Sequence, residues 1–273
     1  MKIPFMKMSG SGNDFILIDH REPFLKEDGL RDFIRNVCRR RISVGADGMI
    51  LIERSQKADF KWRFYNADGS EAEMCGNGGR CAARFACLKG IAGPSLKFET
   101  LAGILSAQVN GERVRLEMTK PFGLKLDQSI VIDGKKKILS SINTGVPHAV
   151  LFVEDLEGLE LLRLGRAIRY HSFFAPGGTN ADFVRLEKNS QLSVRTYERG
   201  VEDETLACGT GVVASALVAA FKGMVKSPVS VKTKGGDVLT VHLETEGKEV
   251  KRVLFEGDVR IIYEAEMCEE AYR

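Results

Sequence analysis

The sequence predicts an α+β fold of two pseudo-symmetric halves, each an antiparallel β-sheet or barrel wrapped around a central helix. Three observations predict it. A Cys-Gly-x-Gly turn occurs twice, in Glu73-Met74-Cys75-Gly76-Asn77-Gly78-Gly79-Arg80 and in Leu206-Ala207-Cys208-Gly209-Thr210-Gly211-Val212-Val213. Each turn opens a run of small and apolar residues of helix length. Most of the remaining chain consists of short alternating or β-branched runs.

The two cysteines lie 133 positions apart, 208 less 75, and the interval recurs. Gly12 and Gly145 each lead into an apolar run, Phe15-Ile16-Leu17-Ile18 and Ala149-Val150-Leu151-Phe152-Val153. Thr100 and Gly103 recur as Thr233 and Gly236, and Ala46-Asp47 resembles Ala181-Asp182 at a slightly longer offset of 135. Matches in one order at nearly constant spacing indicate a duplicated chain. Two copies about a pseudo-two-fold axis would set Cys75 and Cys208 face to face across a cleft.

The strands are read from Lys61–Tyr65, Arg113–Met118, Leu192–Tyr197 and Val238–Leu243, with turn signals at Asn110-Gly111 and Asp133-Gly134. Helices are expected over Leu30–Arg40, Gly79–Lys89 stopped by Gly90, a stretch near Glu157–Tyr170, and Thr210–Lys222 stopped by Gly223. A helix with apolar residues on nearly all sides must be enclosed. The halves divide at Thr119-Lys120-Pro121, giving domains 1–119 and 120–262, with 263–273 expected to pack back onto the first.

Composition narrows the function. The 273 residues carry a nearly balanced net charge of +3, and the longest basic clusters, Arg39–Arg41 and Lys135–Lys137, have no interleaved aromatics. Nucleic-acid binding is therefore not expected. No apolar run is long enough to span a membrane, and residues 1–8 do not read as a signal peptide. The expected location is the cytoplasm. Of the six cysteines, none forms a Cys-x-x-Cys pair, so neither structural zinc nor a disulfide framework is expected. Cys81 and Cys87 read as small apolar residues of a buried helix.

A cysteine at a helix start meets the positive end of the helix dipole, which favours thiolate, and the first-turn N–H groups can seat a carboxylate. Two such seats suit one small carboxylate substrate handled from two sides. Inverting an amino-acid α-carbon requires a base on one face and an acid on the other. A thiol, with an ordinary pKa of about 8.5, becomes a usable base after a modest downward push.

Six ordered blocks resemble the diaminopimelate epimerase family over essentially the whole chain. They are Met8–Phe15; Asn66–Ser70 leading into Glu73–Arg80; Asn143–His148; Gly178–Phe183; Tyr197–Gly200; and Cys208–Gly211. The resemblance implies a cofactor-independent epimerase that interconverts LL- and meso-diaminopimelate, in lysine and peptidoglycan precursor synthesis, with no metal. It implies Cys75 and Cys208 as the acid/base pair, with His148 and Glu198 tuning them. Gly76, Asn77, Gly209 and Thr210 would hold the reacting carboxylate, while Asn13, Asn66, Asn180, Glu198 and Arg199 would contact the rest of the substrate. A homodimer is implied as the assembly. Two positions depart from the pattern: Val146 stands where some relatives carry Asn, and Gly48 where some carry Gln, each removing one polar contact to the distal end.

Other functions fit less well. Phosphate binding lacks Gly-Lys-Ser/Thr and a strand-led Gly-x-Gly-x-x-Gly. A thiol–disulfide role does not account for duplicated anion seats, and an intact cysteine pair argues against a purely amino-acid-binding protein. Proline racemase-like enzymes share the cysteine pair but usually carry His at the position of Asn77. Histidine racemase-like enzymes also share it, whereas the Asn/Arg set suits a substrate with a second zwitterionic end. Asp47, Asp68 and Asp182 read as turn-stabilising residues, and His20, His171 and His242 as structural.

Overall fold

The computed structural model describes residues 2–247 and 249–273. The chain divides into two units, Met1–Glu117 with Gly257–Arg273, and Met118–Glu256. The return to the first unit thus begins at Gly257, earlier than the 263 read from sequence.

The first unit contains β1 (Ile3–Gly10), β2 (Asn13–Asp19), α1 (Leu30–Val37), β3 (Gly48–Glu53), β4 (Phe60–Asn66), β5 (Glu71–Ala72), α2 (Gly76–Leu88), β6 (Ser95–Thr100), β7 (Gly103–Asn110) and β8 (Arg113–Glu117). The second contains β9 (Phe122–Ile132), β10 (Lys135–Asn143), β11 (Pro147–Phe152), α3 (Leu161–Arg169), β12 (Asn180–Leu186), β13 (Leu192–Glu198), β14 (Asp203–Thr205), α4 (Gly209–Phe221), β15 (Val229–Lys232) and β16 (Val238–Glu246). The long β17 (Glu249–Met267) contributes its first part to the second unit and its last part to the first.

Following the pairings around the first unit gives β1, β2, β3, β4, β6, β7, β8 and β17, which pairs with β1 and closes an eight-stranded barrel. The second unit repeats the strand order through β9, β10, β11, β12, β13, β15, β16 and β17. Most pairs are antiparallel. The exceptions are β2–β3, β4–β6, β11–β12 and β13–β15, which are parallel. A parallel connection needs a crossover, and each of these four carries one helix.

The helices take two different places. α2 packs against β1, β2, β3, β7 and β8, and α4 against β10 to β13, β15 and β16. Both are buried along nearly their whole length. α1 and α3 bury one face each, Leu30, Ile34 and Val37 in one and Leu161, Leu164, Gly165 and Ile168 in the other, as a surface helix should. Strands lying between two helices are apolar on both faces, hence the unbroken Phe15–Ile18 and Met49–Ile52.

α2 is more polar than the sequence reading anticipated. Arg80 and Arg84 are buried within it; Arg80 donates to Ser11 Oγ and Asn77 Oδ1, and Arg84 to the Val259 carbonyl. Both enclosed helices stop in the same way. Gly90 N–H donates to Cys87 O and Ile91 N–H to Ala86 O, and the same pattern joins Gly223 to Ala220 and Met224 to Ala219. These are Schellman endings, and they require positive φ at Gly90 and Gly223, which have 66° and 73°. The Asp133-Gly134 hairpin has positive φ at both residues, as a type I′ turn demands. No helix among the described residues is long and apolar enough to cross a membrane.

α3 crosses β13 where only a glycine fits. A Cβ on Gly165 would overlap the Tyr197 side chain, reaching 2.7 Å from Cγ. Overpacking costs roughly 1–3 kcal/mol, against a helix-propensity gain of up to about 1 kcal/mol from alanine. The clash involves Tyr197 Cβ, which no rotamer can move, so the cost wins. Gly165→Ala is expected to lower the urea midpoint at an unchanged slope.

Candidate active site

Both motif cysteines are helix N-caps. Cys75 precedes α2 with φ −145° and ψ 117°, and Cys208 precedes α4 with φ −111° and ψ 108°. Extended backbone is usual for a cap, whose side chain can then accept from the first turn. Cys75 Sγ accepts from Gly78 N–H at 3.4 Å. The helices begin one to three residues earlier than expected, at Gly76 and Gly209, so the Gly-x-Gly segments form the first turns themselves. The N–H groups there have no partner within the helix and point past its end.

In the first unit, Asn77 Nδ2 donates to Asn13 Oδ1 at 2.7 Å, and Asn13 Nδ2 donates to Asp47 Oδ2 at 3.1 Å. Asp47 also takes Arg40, which bridges to Asp14, and Asp14 is paired with buried Lys7. Asp47 therefore anchors Asn13 and does more than stabilise a turn. Asp68 does hold its turn, accepting from Ser70 N–H and Oγ, while Asn66 stands exposed at the end of β4 with Nδ2 on Ser70 Oγ.

The second unit is built differently. His148 and Asp182 have no exposed side-chain surface, and Asp182 Oδ2 accepts from His148 Nδ1 at 2.7 Å. Thr196 Oγ1 donates to Asp182 Oδ1 at 2.8 Å. His148 Nε2 lies 2.9 Å from Thr210 Oγ1, which lies 3.4 Å from Cys208 Sγ. Glu198 accepts from Thr205 Oγ1 at 2.9 Å. Asn180 pins two backbones, donating to Pro147 O and accepting from Arg199 N–H. Arg199 reaches the Gly177 carbonyl, whereas Glu202 is taken by Arg169.

Electrostatics around Cys208 run opposite to the helix-dipole expectation. Burial pushes its thiol well above the ordinary range, and the charges of Glu198 and Asp182 push the same way. Hydrogen bonding with the Thr210 hydroxyl and from the Gly211 N–H only partly offsets this. Glu198 is itself raised by burial, with hydrogen bonding to Thr205 pulling it partly back. Cys208 thus rests as a thiol at neutral pH. Cys38 and Cys81, pushed up to about 12 by burial, are inert packing residues.

Strand register identifies equivalent positions in the two units. Met49 pairs with Tyr65 as Ala181 pairs with Tyr197, and Leu17 with Ile50 as Val150 with Asp182. Asp182 therefore corresponds to Ile50. The glycines agree: a Cβ on Gly78 would meet Ile50 Cδ1 at 3.4 Å, and one on Gly211 would overlap Asp182 Oδ1. The similarity of Ala46-Asp47 to Ala181-Asp182 is consequently coincidental. Gly48 has a packing reason, since a Cβ there would stand 2.5 Å from the Tyr65 carbonyl oxygen. The residues that sequence reasoning undervalued are Asp47, Asp182 and Thr196. Asp182 carried a signal: a carboxylate between Ala181 and Phe183 in an apolar strand must be partnered.

The sequence matches the family described as diaminopimelate epimerase over residues 5–122 and 140–261. It is 49% identical to the diaminopimelate epimerase of Aquifex aeolicus over 277 aligned residues, covering 97% of this chain and 98% of that one. It is 47% identical to that of Archaeoglobus fulgidus, covering 86% and 88%. The chain belongs to the diaminopimelate epimerase family. Solved structures extend the fold beyond that family. A phenazine biosynthesis protein of the PhzF family from Bacillus anthracis superposes with a TM-score of 0.75 at 16% identity, covering 98% of this chain and 99% of that one. A hydroxyproline epimerase from Agrobacterium vitis superposes with a TM-score of 0.72 at 16% identity, covering 98% and 93%.

Because Cys208 is held as a thiol, its alkylation by iodoacetamide should still be accelerating above pH 9, followed by mass spectrometry of its peptide. Glu198→Gln removes a neighbouring negative charge and should move that rise to lower pH.

Proposed function

We propose that this epimerase-family chain interconverts LL- and meso-diaminopimelate by removing and returning the α-proton without a cofactor, with Cys75 and Cys208 as the acid/base pair. The observation that carries this reading is that each unit presents one cysteine as the N-cap of its enclosed helix. Inversion needs one group as base and another as acid on opposite faces of the α-carbon. With Cys208 resting as thiol, Cys208 is the acid in that state and Cys75 the base. The roles exchange when the opposite epimer is bound.

The first-turn N–H groups at Gly76, Asn77, Gly209 and Thr210 suit the reacting carboxylate, where negative charge accumulates as the proton leaves. The Asn77 side chain is engaged by Asn13 and Arg80, so its contribution is its backbone. Asn13, Asn66, Asn180, Glu198 and Arg199 are assigned to the remaining amino and carboxylate groups, for which amide and guanidinium side chains supply matching donors and acceptors. His148 and Glu198 tune Cys208, Glu198 through its charge and hydrogen bonding. A cytoplasmic homodimer completes the proposal, and light scattering of the purified protein checks the assembly.

The first measurement is proton NMR of the reduced protein with LL-diaminopimelate in D2O, with proline and histidine in parallel. The α-proton signal of diaminopimelate alone should disappear. Exchange confined to proline or histidine would assign a different substrate, and no exchange at all would remove the epimerase reading. Cys75→Ala and Cys208→Ala should each lower turnover by at least about 10²-fold, the usual contribution of a positioned acid or base, with circular dichroism unchanged. Mild oxidation with diamide should crosslink Cys75 to Cys208 and abolish activity; full activity without that crosslink would contradict the pairing.

A further inference from the structure

We propose that Asp182 is a positioning residue for the epimerisation: it holds His148 with Nε2 turned to the Thr210 hydroxyl, so that a proton can pass between the imidazole and the Cys208 sulfur through that hydroxyl. This rests on the reading of Cys208 as an acid/base group.

The geometry orders the donors. Asp182 Oδ2, as a carboxylate oxygen, accepts from His148 Nδ1, which must then carry hydrogen. In the neutral imidazole Nε2 accepts from Thr210 Oγ1–H, and that oxygen accepts from the Cys208 S–H. Transfer along the chain moves the sulfur proton onto Thr210 as the Thr210 proton moves onto Nε2. The result is a thiolate, an unchanged hydroxyl and an imidazolium beside Asp182. In reverse, the imidazolium returns its proton through Thr210 to the thiolate. No atom or electron pair is gained or lost, and no further reactant is needed.

Asp182 is built for this task. Its second oxygen is fixed by Thr196, and the first turn of α4 lies so close that Gly211 has no room for a Cβ. The groups facing this chain are His148 on β11, Asp182 on β12, Glu198 on β13, and Cys208 and Thr210 at the start of α4. The equivalent positions of the first unit hold Phe15 and Ile50 in place of His148 and Asp182, so the duplicated fold does not by itself require a polar pair there.

Two measurements test it. Long-range proton–nitrogen NMR of the His148 ring in the wild-type protein should find hydrogen on Nδ1; hydrogen on Nε2 alone would overturn the proposal. That readout needs no turnover, so it separates this proposal from the functional one, which fails if the wild type does not exchange diaminopimelate. In Asp182→Asn, kcat should fall by about 10²-fold with KM within threefold, and the pH profile of kcat should shift. Wild-type kcat and profile in a folded variant would sink the idea. Should Asp182→Asn not fold, Thr210→Val and Thr210→Ser decide: the serine variant should keep most of kcat and the valine variant lose it. Equal kcat in the two would overturn the relay.

Discussion

A helix with almost no polar surface must be covered on every side, and the curved strand array of each unit answers that constraint. Along α4, every residue from Gly211 to Ala219 is buried, and Val212, Val213, Ala216 and Leu217 have essentially no exposure. No single sheet face can cover such a helix, whereas a strand ring closed around it can. Once enclosed, the helix can meet a small molecule only at its ends. The N-terminal turn is the end that offers a ligand something to bind, because N–H groups without helical partners and the capping side chain stand together there.

The same enclosure sets the electrostatics. A helix N-terminus stabilises a nearby anion by up to about 2 kcal/mol in favourable geometry. Full burial of an ionisable group can move its pKa by several units, each worth about 1.4 kcal/mol. At Cys208 burial is the larger effect, and two carboxylates add to it. The helix-start motif was legible in the sequence; the sign of its effect on the thiol was not, because that depends on how completely the barrel dries the cap.

Legibility followed local chemistry. The helix stops at Gly90 and Gly223, the Asp133-Gly134 hairpin and the runs that became β4, β8, β13 and β16 are written in neighbouring residues, and all could be read directly. The duplication was also visible, through turns whose glycines the backbone requires. What could not be read was pairing across long separations. The parallel partners of β2 and β11 are selected by crossover helices, and the matching of Asp182 with Ile50 appears only when strand registers are known. Ala46-Asp47 misled for that reason: adjacent letters agreed while their places in the barrel did not.

Duplication gives two similar folds, but it need not preserve two similar environments. The inner positions of the first unit that correspond to His148 and Asp182 are Phe15 and Ile50, both fully buried, so those two places are filled by hydrocarbon. In the second unit a histidine and an aspartate take those places, and burying them is tolerable only because each polar atom finds a partner in Thr196, Thr210 or the other side chain. Removing one member would leave the rest unsatisfied at roughly 1–3 kcal/mol per group. A pair that stabilised the barrel alone could be replaced by apolar residues of similar size, as the first unit demonstrates. The contact of this pair with the hydroxyl that touches the Cys208 sulfur is what a proton-handling role explains and packing alone does not.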